Sequence, residues 1–305
     1  MNVKIRVPAT IANLGPGFDV FGAALSLYNE FEAEYVTDAK ETHFILNGEG
    51  KELLEKKDKN LVWQAMQKTF ELLSEDKYNL KNLNITINTN IPLSRGLGSS
   101  ASAIVGGICL ANALCKNKLN RRQIADLAIK IEGHPDNVVP AVYGGLCICG
   151  KNEYGDTGIL TQLPIPKLKV VLCIPFFELR TKYLREILPT TVSLDDAVFN
   201  ISRVAILTTA FCCGDYALLR QAMQDKIHQP YRKKMIPAMD KVLEKTLSAG
   251  AYGAFLSGSG PTLAALCDKK NVVNIQKSMI STWKEENVFA RSCILDFDSE
   301  GVLEI

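Results

Sequence analysis

The sequence predicts an α+β protein with two domains, because strand-like and helical patterns are mixed in both halves of the chain. Its 305 residues are enough for two domains of ordinary size, each with its own core. A hydrophobic fraction of 47% and a charged fraction of 22% are typical of globular proteins. Residues 150–168 are rich in glycine and proline, so we expect a boundary there, with domains at 1–160 and 161–305.

Each element is predicted from its periodicity. Alternation of apolar and polar residues indicates strands at 2–7 and 83–89, and an apolar run indicates one at 168–174. Further strand-like segments lie at 31–36, 43–47, 144–149 and 289–296. A further strand, a glycine turn and an apolar run are expected within 251–267. Helical patterns cover 60–73, 102–115, 120–132, 193–214, 234–249 and 271–286. Asn120, with Gln123 three residues later, indicates a capping box at the start of the third helix.

Charge and hydropathy argue against two classes of partner. The net charge of +2, without a long basic run, gives no reason to expect nucleic acid. The strand-like start of the chain has no apolar signal core. No apolar run approaches the ~20 residues that cross a bilayer. We therefore expect a cytoplasmic protein without a membrane partner.

The cysteines do not indicate a metal site. There are nine, none in a C-x-x-C pair, and the three histidines are not spaced near them as zinc ligands would be. Five lie singly in apolar runs, where cysteine acts as a small buried hydrophobe: Cys109, Cys115, Cys173, Cys267 and Cys293. An odd number of reduced thiols fits a reducing compartment.

Residues 92–102, which read PLSRGLGSSAS, lie between a predicted strand and a predicted helix. Gly96 and Gly98 let an anion approach the free amides of the helix start, and the hydroxyls of Ser99 and Ser100 add donors. The segment lacks the Lys-Ser or Lys-Thr pair of a Walker loop and the third glycine of a dinucleotide fingerprint. It predicts a phosphate-binding loop of another kind, and the alternative is a serine-capped helix after a tight turn.

Three other segments contain residue combinations that are unusual for loops with only a structural role. Residues 8–19 form a turn-rich stretch in which Asn13 and Asp19 could face a ligand or bond their own backbone. Residues 132–137 combine two acids, an imidazole and an amide, which suits a magnesium ligand and substrate contacts or simply a helix end capped by Gly133. Residues 256–262, LSGSGPT, are either a binding turn or a flexible hairpin.

Together and in this order, the segments at 8–19, 92–102 and 256–262 resemble the three motifs of the GHMP family of small-molecule kinases, including its P-x-x-x-G-L-G-S-S-A-S loop. The resemblance spans nearly the whole chain. It implies an N-terminal domain like ribosomal protein S5, a C-terminal ferredoxin-like domain, and transfer of phosphate from ATP to an alcohol. The implied cofactors are ATP and Mg²⁺, and the resemblance also implies a homodimer.

The family motifs imply specific contacts to the nucleotide. Glu132, with Ser99 and Ser100, would hold Mg²⁺. Asn60 matches a position that helps to hold the nucleotide in the family. The remaining ATP contacts implied by the motifs are Pro92, Arg95, Gly96, Leu97, Gly98, Ser99, Ser100, Ser102, Ser257, Gly258 and Gly260.

Within the family, the opening motif and the segments 181–189 and 228–232 resemble the branch whose acceptor is the amino acid L-homoserine. Arg185 and Arg232 would bind its carboxylate, since a guanidinium binds carboxylate with two hydrogen bonds. Asn13 and Asp19 would bind its ammonium group. His134 and Thr181 are expected to make secondary substrate contacts. Another acceptor, such as mevalonate, a sugar or a shikimate-like acid, and a silent regulatory relative are the alternatives.

The sequence departs from some relatives at the position of the catalytic base. Kinases like mevalonate kinase have an aspartate seven positions before a Gly-Gly pair, and here that position is Asn137. An amide is not a useful proton acceptor, so we expect transfer without a dedicated base, with Asn137 and Glu132 as the catalytic residues. The side chain of neighbouring Asp136 is expected to point elsewhere.

Overall fold

The computed structural model describes residues 2–36, 41–49, 60–73, 82–179 and 181–305, which form two β-sheets with helices packed on them. The first sheet contains β1 (Asn2–Ala12), β2 (Phe21–Tyr35), β3 (His43–Gly48), β4 (Leu83–Thr89), β5 (Leu146–Lys151), β6 (Thr157–Leu163) and β11 (Leu303–Glu304). The second contains β7 (Lys169–Pro175), β8 (Gly253–Leu256), β9 (Leu263–Cys267) and β10 (Ala290–Leu295). The predicted α+β class with two units is therefore confirmed.

The first sheet has the order β11-β1-β2-β4-β3, and β5 pairs with β2 and β6. Its pairs are antiparallel except β3 with β4. The helices of this half are α1 (Leu61–Leu73), α2 (Ser99–Leu114), α3 (Arg121–Glu132) and α4 (Pro135–Tyr143). The capping box of α3 is present, with Asn120 accepting from the Gln123 amide and the Gln123 side chain accepting from the Asn120 amide.

Several predicted boundaries in this half were wrong. Strand β1 continues past the predicted loop start to Ala12, and β2 begins at Phe21, because the pairing of the two strands resumes after a register shift at Pro8 and Ala9. Helix α2 starts at Ser99, since Gly98 adopts a left-handed conformation (φ 69°) and ends the turn before it. Helix α4 was not predicted, because its short pattern follows directly after Pro135.

The expected boundary segment also contains a strand. Strand β6 lies within residues 150–168 and pairs with β5, so the first sheet continues to Leu163 and the second begins at Lys169. The chain then returns to the first sheet at its end, where β11 pairs with β1. Strand β11 was not predicted, because two residues are too few to show an alternating pattern.

The second sheet has the order β10-β7-β9-β8, and all its pairs are antiparallel. The helices of this half are α5 (Thr181–Glu186), α6 (Leu194–Cys213), α7 (Leu219–Ala222), α8 (Gln229–Arg232), α9 (Met239–Ser248) and α10 (Val272–Glu285). Helix α9 starts five residues later than predicted, after a 3₁₀ turn at Lys233–Met235. The short helices α5, α7 and α8 were missed because single helical turns carry little periodicity.

Three apolar clusters hold the layers together. One lies between the first sheet and helices α1 to α4, and another lies between the second sheet and helices α9 and α10. The cluster between them joins the two halves, with Ile11 and Phe21 of the first packed with Leu172 and Phe211 of the second. Because β1 ends in this shared core, the loop that follows it is positioned at the junction of the halves.

Helix α6 contradicts the expectation that no apolar segment approaches the length needed to cross a membrane. It has 20 residues and a mean hydropathy of 1.3, and it is the helix among the described residues that could cross a membrane by length and composition only. It also contains Asp195, Asp196 and Arg203, and it buries Leu207 and Phe211 in the shared core. A core helix passes the same test, so this is weak evidence for a membrane.

None of the nine cysteines is paired in a disulfide in the structure, and six of them are buried. Burial raises the pKa of Cys109, Cys147 and Cys173 to about 12, which keeps these thiols protonated. Cys212 and Cys213 are exposed at the end of α6.

Candidate active site

A cavity of about 290 Å³ lies where the loop after β1, the start of α2, the end of α3 and helices α5 and α8 meet. Its lining contains most of the residues singled out in the sequence. These are Asn13, Asp19, Arg95, Gly96, Leu97, Gly98, Ser99, Ser100, Glu132, His134, Asn137, Arg185, Arg232 and Gly258. Residues from 13 to 258 along the chain therefore converge on one space.

One end of the cavity is the start of α2. Gly98 is its N-cap and offers no side chain, so the first amides of the helix are not capped by a side chain and are available to an anion. The glycines are required by close neighbours: a Cβ on Gly98 would lie 1.9 Å from Thr10 Oγ1, and one on Gly96 2.2 Å from the Ser257 carbonyl oxygen. The loop therefore owes its shape to backbone packing on both halves.

Glu132 lies beside this helix start. Its Oε2 accepts a hydrogen bond of 2.7 Å from Ser100 Oγ, and the chain turns away immediately afterwards at Gly133 (φ 92°), which ends α3. A carboxylate and a hydroxyl oxygen next to open amides are the hard donors that Mg²⁺ prefers. The residues present thus fit a magnesium ion, which Glu132 and Ser100 would hold.

The start of α4 contributes a linked set of polar side chains. His134 Nδ1 lies 2.6 Å from Asp136 Oδ1, Asn137 Nδ2 donates to the same oxygen at 3.3 Å, and Thr10 Oγ1 donates to Asn137 Oδ1 at 2.8 Å. The expectation that Asp136 points elsewhere was wrong, because its buried side chain lines the cavity. Burial opposes the charged form of His134, but the hydrogen bond and charge of Asp136 outweigh it and raise the pKa of His134.

The opposite end of the cavity holds an ion pair. Arg185 donates to both carboxylate oxygens of Asp19, at 2.9 Å from Nη1 and 2.6 Å from Nη2. This hydrogen bond raises the pKa of Arg185. Asp19 itself is in the left-handed region (φ 58°), and its amide donates to Asn13 Oδ1 at 3.1 Å. The backbone at Asp19 is therefore in the left-handed region, which aspartate adopts more readily than most residues, and the Asn13 side chain holds it there.

Arg232 lies close to this pair and is buried. Burial, followed by repulsion from Arg185, lowers the pKa of Arg232 to about 10, so its guanidinium remains charged at neutral pH. Both arginines lie over the ring of Phe18, with Cζ at 5.4 Å for Arg185 and 5.3 Å for Arg232. Two cations and one carboxylate thus face the same small space.

Asp19, His134 and Asp136 are also a group whose ligand atoms lie within 4.8 Å of one another. Asp19 is already paired with Arg185, and His134 with Asp136. Their negative potential suits an ammonium group, which donates hydrogen bonds, and the arginines beside them suit a carboxylate.

Other predicted residues lie outside the cavity lining. Asn60 caps α1 through its Oδ1, which accepts from the Val62 amide at 3.0 Å. Ser257 Oγ donates to the Gly96 carbonyl at 2.6 Å, and Gly260 packs against the same loop. Pro92 and Ser102 are buried. The side chain of Thr181 lies outside the described part of the structure.

Arg95 lines the cavity but is occupied elsewhere. Its Nε donates to the Pro175 carbonyl at 3.0 Å, its Nη2 to the Phe176 carbonyl at 2.8 Å, and its Nη1 lies 3.4 Å from Glu178. In this arrangement the side chain joins the phosphate loop to the end of β7.

Sequence reasoning missed Phe18 and His228. Phe18 stacks on His228 with a centroid distance of 5.4 Å and lies under both arginines. Phe18 belongs to the motif at 8–19 and His228 to the segment at 228–232. Their position within these two segments was the only feature of the sequence that pointed to them. Their role depends on contacts between the two halves, which spacing does not reveal.

The chain matches two family models and several known proteins. The GHMP kinases N terminal domain matches residues 60–145, and the GHMP kinases C terminal model matches residues 206–285. It is 45% identical over 271 residues to a homoserine kinase of Carboxydothermus hydrogenoformans, covering 89% of this chain and 87% of that protein. It is 43% identical over 302 residues to a homoserine kinase of Nostoc punctiforme, covering 98% and 97%.

Solved structures are similar over the same length. The crystal structure of homoserine kinase from Cytophaga hutchinsonii has a TM-score of 0.88 at 30% identity and covers 100% of this chain and 97% of its own. A crystal structure of mevalonate kinase has a TM-score of 0.74 at 18% identity, with coverage of 97% and 99%, which shows a common fold.

Proposed function

This chain belongs to the GHMP kinase family, and we propose that its cavity transfers the γ-phosphoryl group of ATP to the side-chain hydroxyl of L-homoserine, with Mg²⁺ held beside the phosphates. It is an ATP-dependent kinase with the two-domain fold that the motifs predicted. The reaction is the homoserine kinase reaction, which makes O-phospho-L-homoserine for threonine synthesis.

One observation supports this acceptor above others: the cavity presents Asp19 next to Arg185 and Arg232. An α-amino acid carries an ammonium and a carboxylate on one carbon, so it would pair with both kinds of charge at once. A sugar would bring no counterion to the buried Arg232, and mevalonate would bring no ammonium group to pair with Asp19 in place of Arg185. An acceptor that pairs with fewer of these charges binds less well, so these acceptors are disfavoured.

The other end of the cavity supports binding of the nucleotide. The open amides at the start of α2 would take the phosphates, and Ser99 and Ser100 would add hydroxyl donors. Glu132, with Ser100, would hold Mg²⁺, which neutralises the charge that the phosphates carry during transfer. Ser257 supports the loop from the second half through its bond to Gly96.

We infer that the transfer proceeds without a dedicated base. The carboxylate of Asp136, which lines the cavity next to Asn137, already accepts a hydrogen bond from Asn137 and pairs with His134. Phosphoryl transfer has a loose transition state in which positioning and charge stabilisation contribute most of the acceleration. Asn137, fixed by Thr10, lies where it can orient the acceptor but not remove its proton usefully.

Asp136→Asn is expected to lower kcat by less than the factor of about 10²–10⁴ that a general base contributes. Asn137→Ala is expected to have at least as large an effect, because it removes an orienting group. Steady-state rates of both folded variants at saturating substrates test this. Loss of all turnover in Asp136→Asn, with Asn137→Ala unaffected, would show that Asp136 is the base.

The assignment itself is tested by ADP release with Mg-ATP and a panel of alcohols. Turnover selective for L-homoserine over D-homoserine, L-serine, mevalonate and galactose would support it. Preference for mevalonate or galactose would retain the ATP site and reject the amino-acid contacts. Binding of ATP with no turnover on any alcohol would favour a regulatory role.

We also propose that the protein forms a homodimer through α6. Leu194, Val198 and Ile201 are 78%, 57% and 67% exposed, and with Ala205 they follow the 4-3-4 spacing of an interhelical seam. Exposed apolar side chains in one stripe mark an interaction surface. The stripe from Leu194 to Ala205 extends over about 17 Å of this 20-residue helix, and two copies can pair it antiparallel about a two-fold axis.

Ile201→Glu is expected to convert the dimer to a monomer, because it places a charge in the middle of the apolar stripe. Light scattering after size exclusion measures this against the chain mass of 33.6 kDa. Val273→Glu is the matched control, since Val273 is also apolar and exposed but lies on α10. A wild-type protein that is monomeric at micromolar concentration would contradict the proposal.

A further inference from the structure

His228 is fully buried next to the amino-acid end of the cavity but does not line it. Its Nε2 lies 2.7 Å from the Gly15 carbonyl oxygen, and its Nδ1 lies 3.1 Å from Arg232 Nη1. Both ring nitrogens are therefore within hydrogen-bond distance of a partner, and the two partners belong to different halves of the chain.

These two partners determine the tautomer. An arginine nitrogen can only donate, so Nδ1 must accept, and a carbonyl oxygen can only accept, so Nε2 must carry the hydrogen. The ring is then neutral, in agreement with burial, which lowers the pKa of His228 against the opposing effect of Asp225. A second proton on Nδ1 would point at the Arg232 guanidinium.

The backbone around His228 is held as well. The Asp225 carboxylate accepts from the amides of Ile227, His228 and Gln229, at 2.9, 2.9 and 2.6 Å. Asn200 Nδ2 donates to the same carboxylate at 2.8 Å. The imidazole is thus presented from a rigid turn at the start of α8, with its ring stacked on Phe18.

Arg232 is oriented by three acceptors. Its Nη1 donates to His228 and to the Gly258 carbonyl at 3.0 Å, and its Nε lies 3.3 Å from the Leu184 carbonyl. Nη2 has no hydrogen-bond partner among the residues that the structure describes, and the side chain lines the cavity. Two of the three acceptors are backbone carbonyls, whereas His228 accepts through its side chain. A substitution can therefore remove only the bond to His228.

The same imidazole holds the loop that carries Asn13 and Asp19. Asn13, Leu14 and Gly15 all have positive φ, at 70°, 46° and 89°. Such a run persists only where neighbours impose it. The donation to Gly15 and the bond of 3.0 Å from Asn13 Nδ2 to the Gly258 carbonyl supply that constraint. Arg232 and Asn13 also share the Gly258 oxygen.

We propose that His228 is a positioning residue for amino-acid recognition: its Nδ1 aims Arg232 at the substrate carboxylate while its Nε2 holds the loop that meets the ammonium group. The inference rests on the proposed homoserine kinase activity. In this role His228 does not contact the substrate, because it does not line the cavity. Its removal should weaken binding of the amino acid and leave the nucleotide end, which is built from α2 and α3, unaffected.

Two nearly isosteric variants separate the bonds. In His228→Asn, the side-chain Oδ1 can take the position of the imidazole Nδ1 and accept a hydrogen bond from Arg232. In His228→Gln, the side-chain Nε2 can take the position of the imidazole Nε2 and donate a hydrogen bond to the Gly15 carbonyl. His228→Phe keeps a ring on Phe18 and removes both bonds. The KM for L-homoserine and for ATP, kcat, and the midpoint of thermal unfolding are measured for all three and the wild type.

We expect the KM for homoserine to rise about 10- to 100-fold in His228→Phe, as for loss of hydrogen bonds to charged groups. Because each keeps one of the two bonds, His228→Asn and His228→Gln should both lie between His228→Phe and wild type, and the KM for ATP should not move. KM values for homoserine in the Asn and Gln variants as high as in His228→Phe, or parallel increases in both substrates' KM, would overturn the inference. Wild-type protein without turnover on homoserine would instead reject the proposed function.

Discussion

Glu132→Gln is expected to reduce kcat by about 10²–10³-fold, the usual cost of removing one preorganised electrostatic contact from a transition state. Glu132 lies at the end of α3 with Ser100 Oγ at 2.7 Å, beside the open amides of α2. Glutamine keeps the size and the acceptor for Ser100 but removes the charge that would hold Mg²⁺. The fall in kcat should come with a higher Mg²⁺ concentration for half-maximal rate.

The control for this variant is Glu285→Gln, which removes one charge from the exposed ion pair between Glu285 on α10 and Lys241 on α9 and should leave kcat unchanged. Homoserine binding, measured by equilibrium titration without nucleotide, should be the same in Glu132→Gln and wild type. A Glu132→Gln variant with wild-type kcat and Mg²⁺ dependence would remove Glu132 from the magnesium site.

Asp19→Asn is expected to raise the KM for L-homoserine about 10- to 100-fold, from loss of a charge-assisted hydrogen bond to the substrate ammonium. Asparagine adopts left-handed backbone readily, so the φ of 58° at this position is retained. The KM for ATP should change little, because the nucleotide end is built from other elements.

The ion pair between Asp19 and Arg185 leads to a second expected result. Asp19 and Arg185 neutralise each other, so a ligand that enters must replace both partners at once. A zwitterion does so, whereas 4-hydroxybutyrate, which lacks the ammonium group, leaves Asp19 unpaired. Asp19→Asn should therefore reduce the preference of the enzyme for homoserine over 4-hydroxybutyrate.

Asp126→Asn is the matched control, since Asp126 forms an exposed pair with Arg122 on α3 and its loss should not alter either KM. Equal KM values for homoserine in wild type and Asp19→Asn would show that the ammonium binds elsewhere. The arginines would then have to recognise the amino acid alone.

Much of the site was predictable because its parts are local motifs. The free helix start after Gly98 follows from glycine and serine in the sequence, and Gly133 ends α3 as the pattern predicted. The resemblance to the GHMP kinases then predicted that Asn13, Glu132, Arg185 and Arg232 belong to one site, and all four line the cavity. Asp136 was misjudged because the helix that turns it inward, α4, is short and was not predicted.

By itself the sequence determined the fold class, the family and the types of chemical group at the site, since these depend on periodicity and on the order of short motifs. The tertiary structure alone decided how those groups are paired: Arg185 on Asp19, Arg95 on the end of β7, and His228 between Gly15 and Arg232. The physical reason is range. Capping and turns depend on neighbours a few residues apart, whereas the bonds of Arg185 to Asp19, of Arg95 to β7 and of His228 to Gly15 join residues 80 to 213 positions apart, which only the packing of the two sheets brings together.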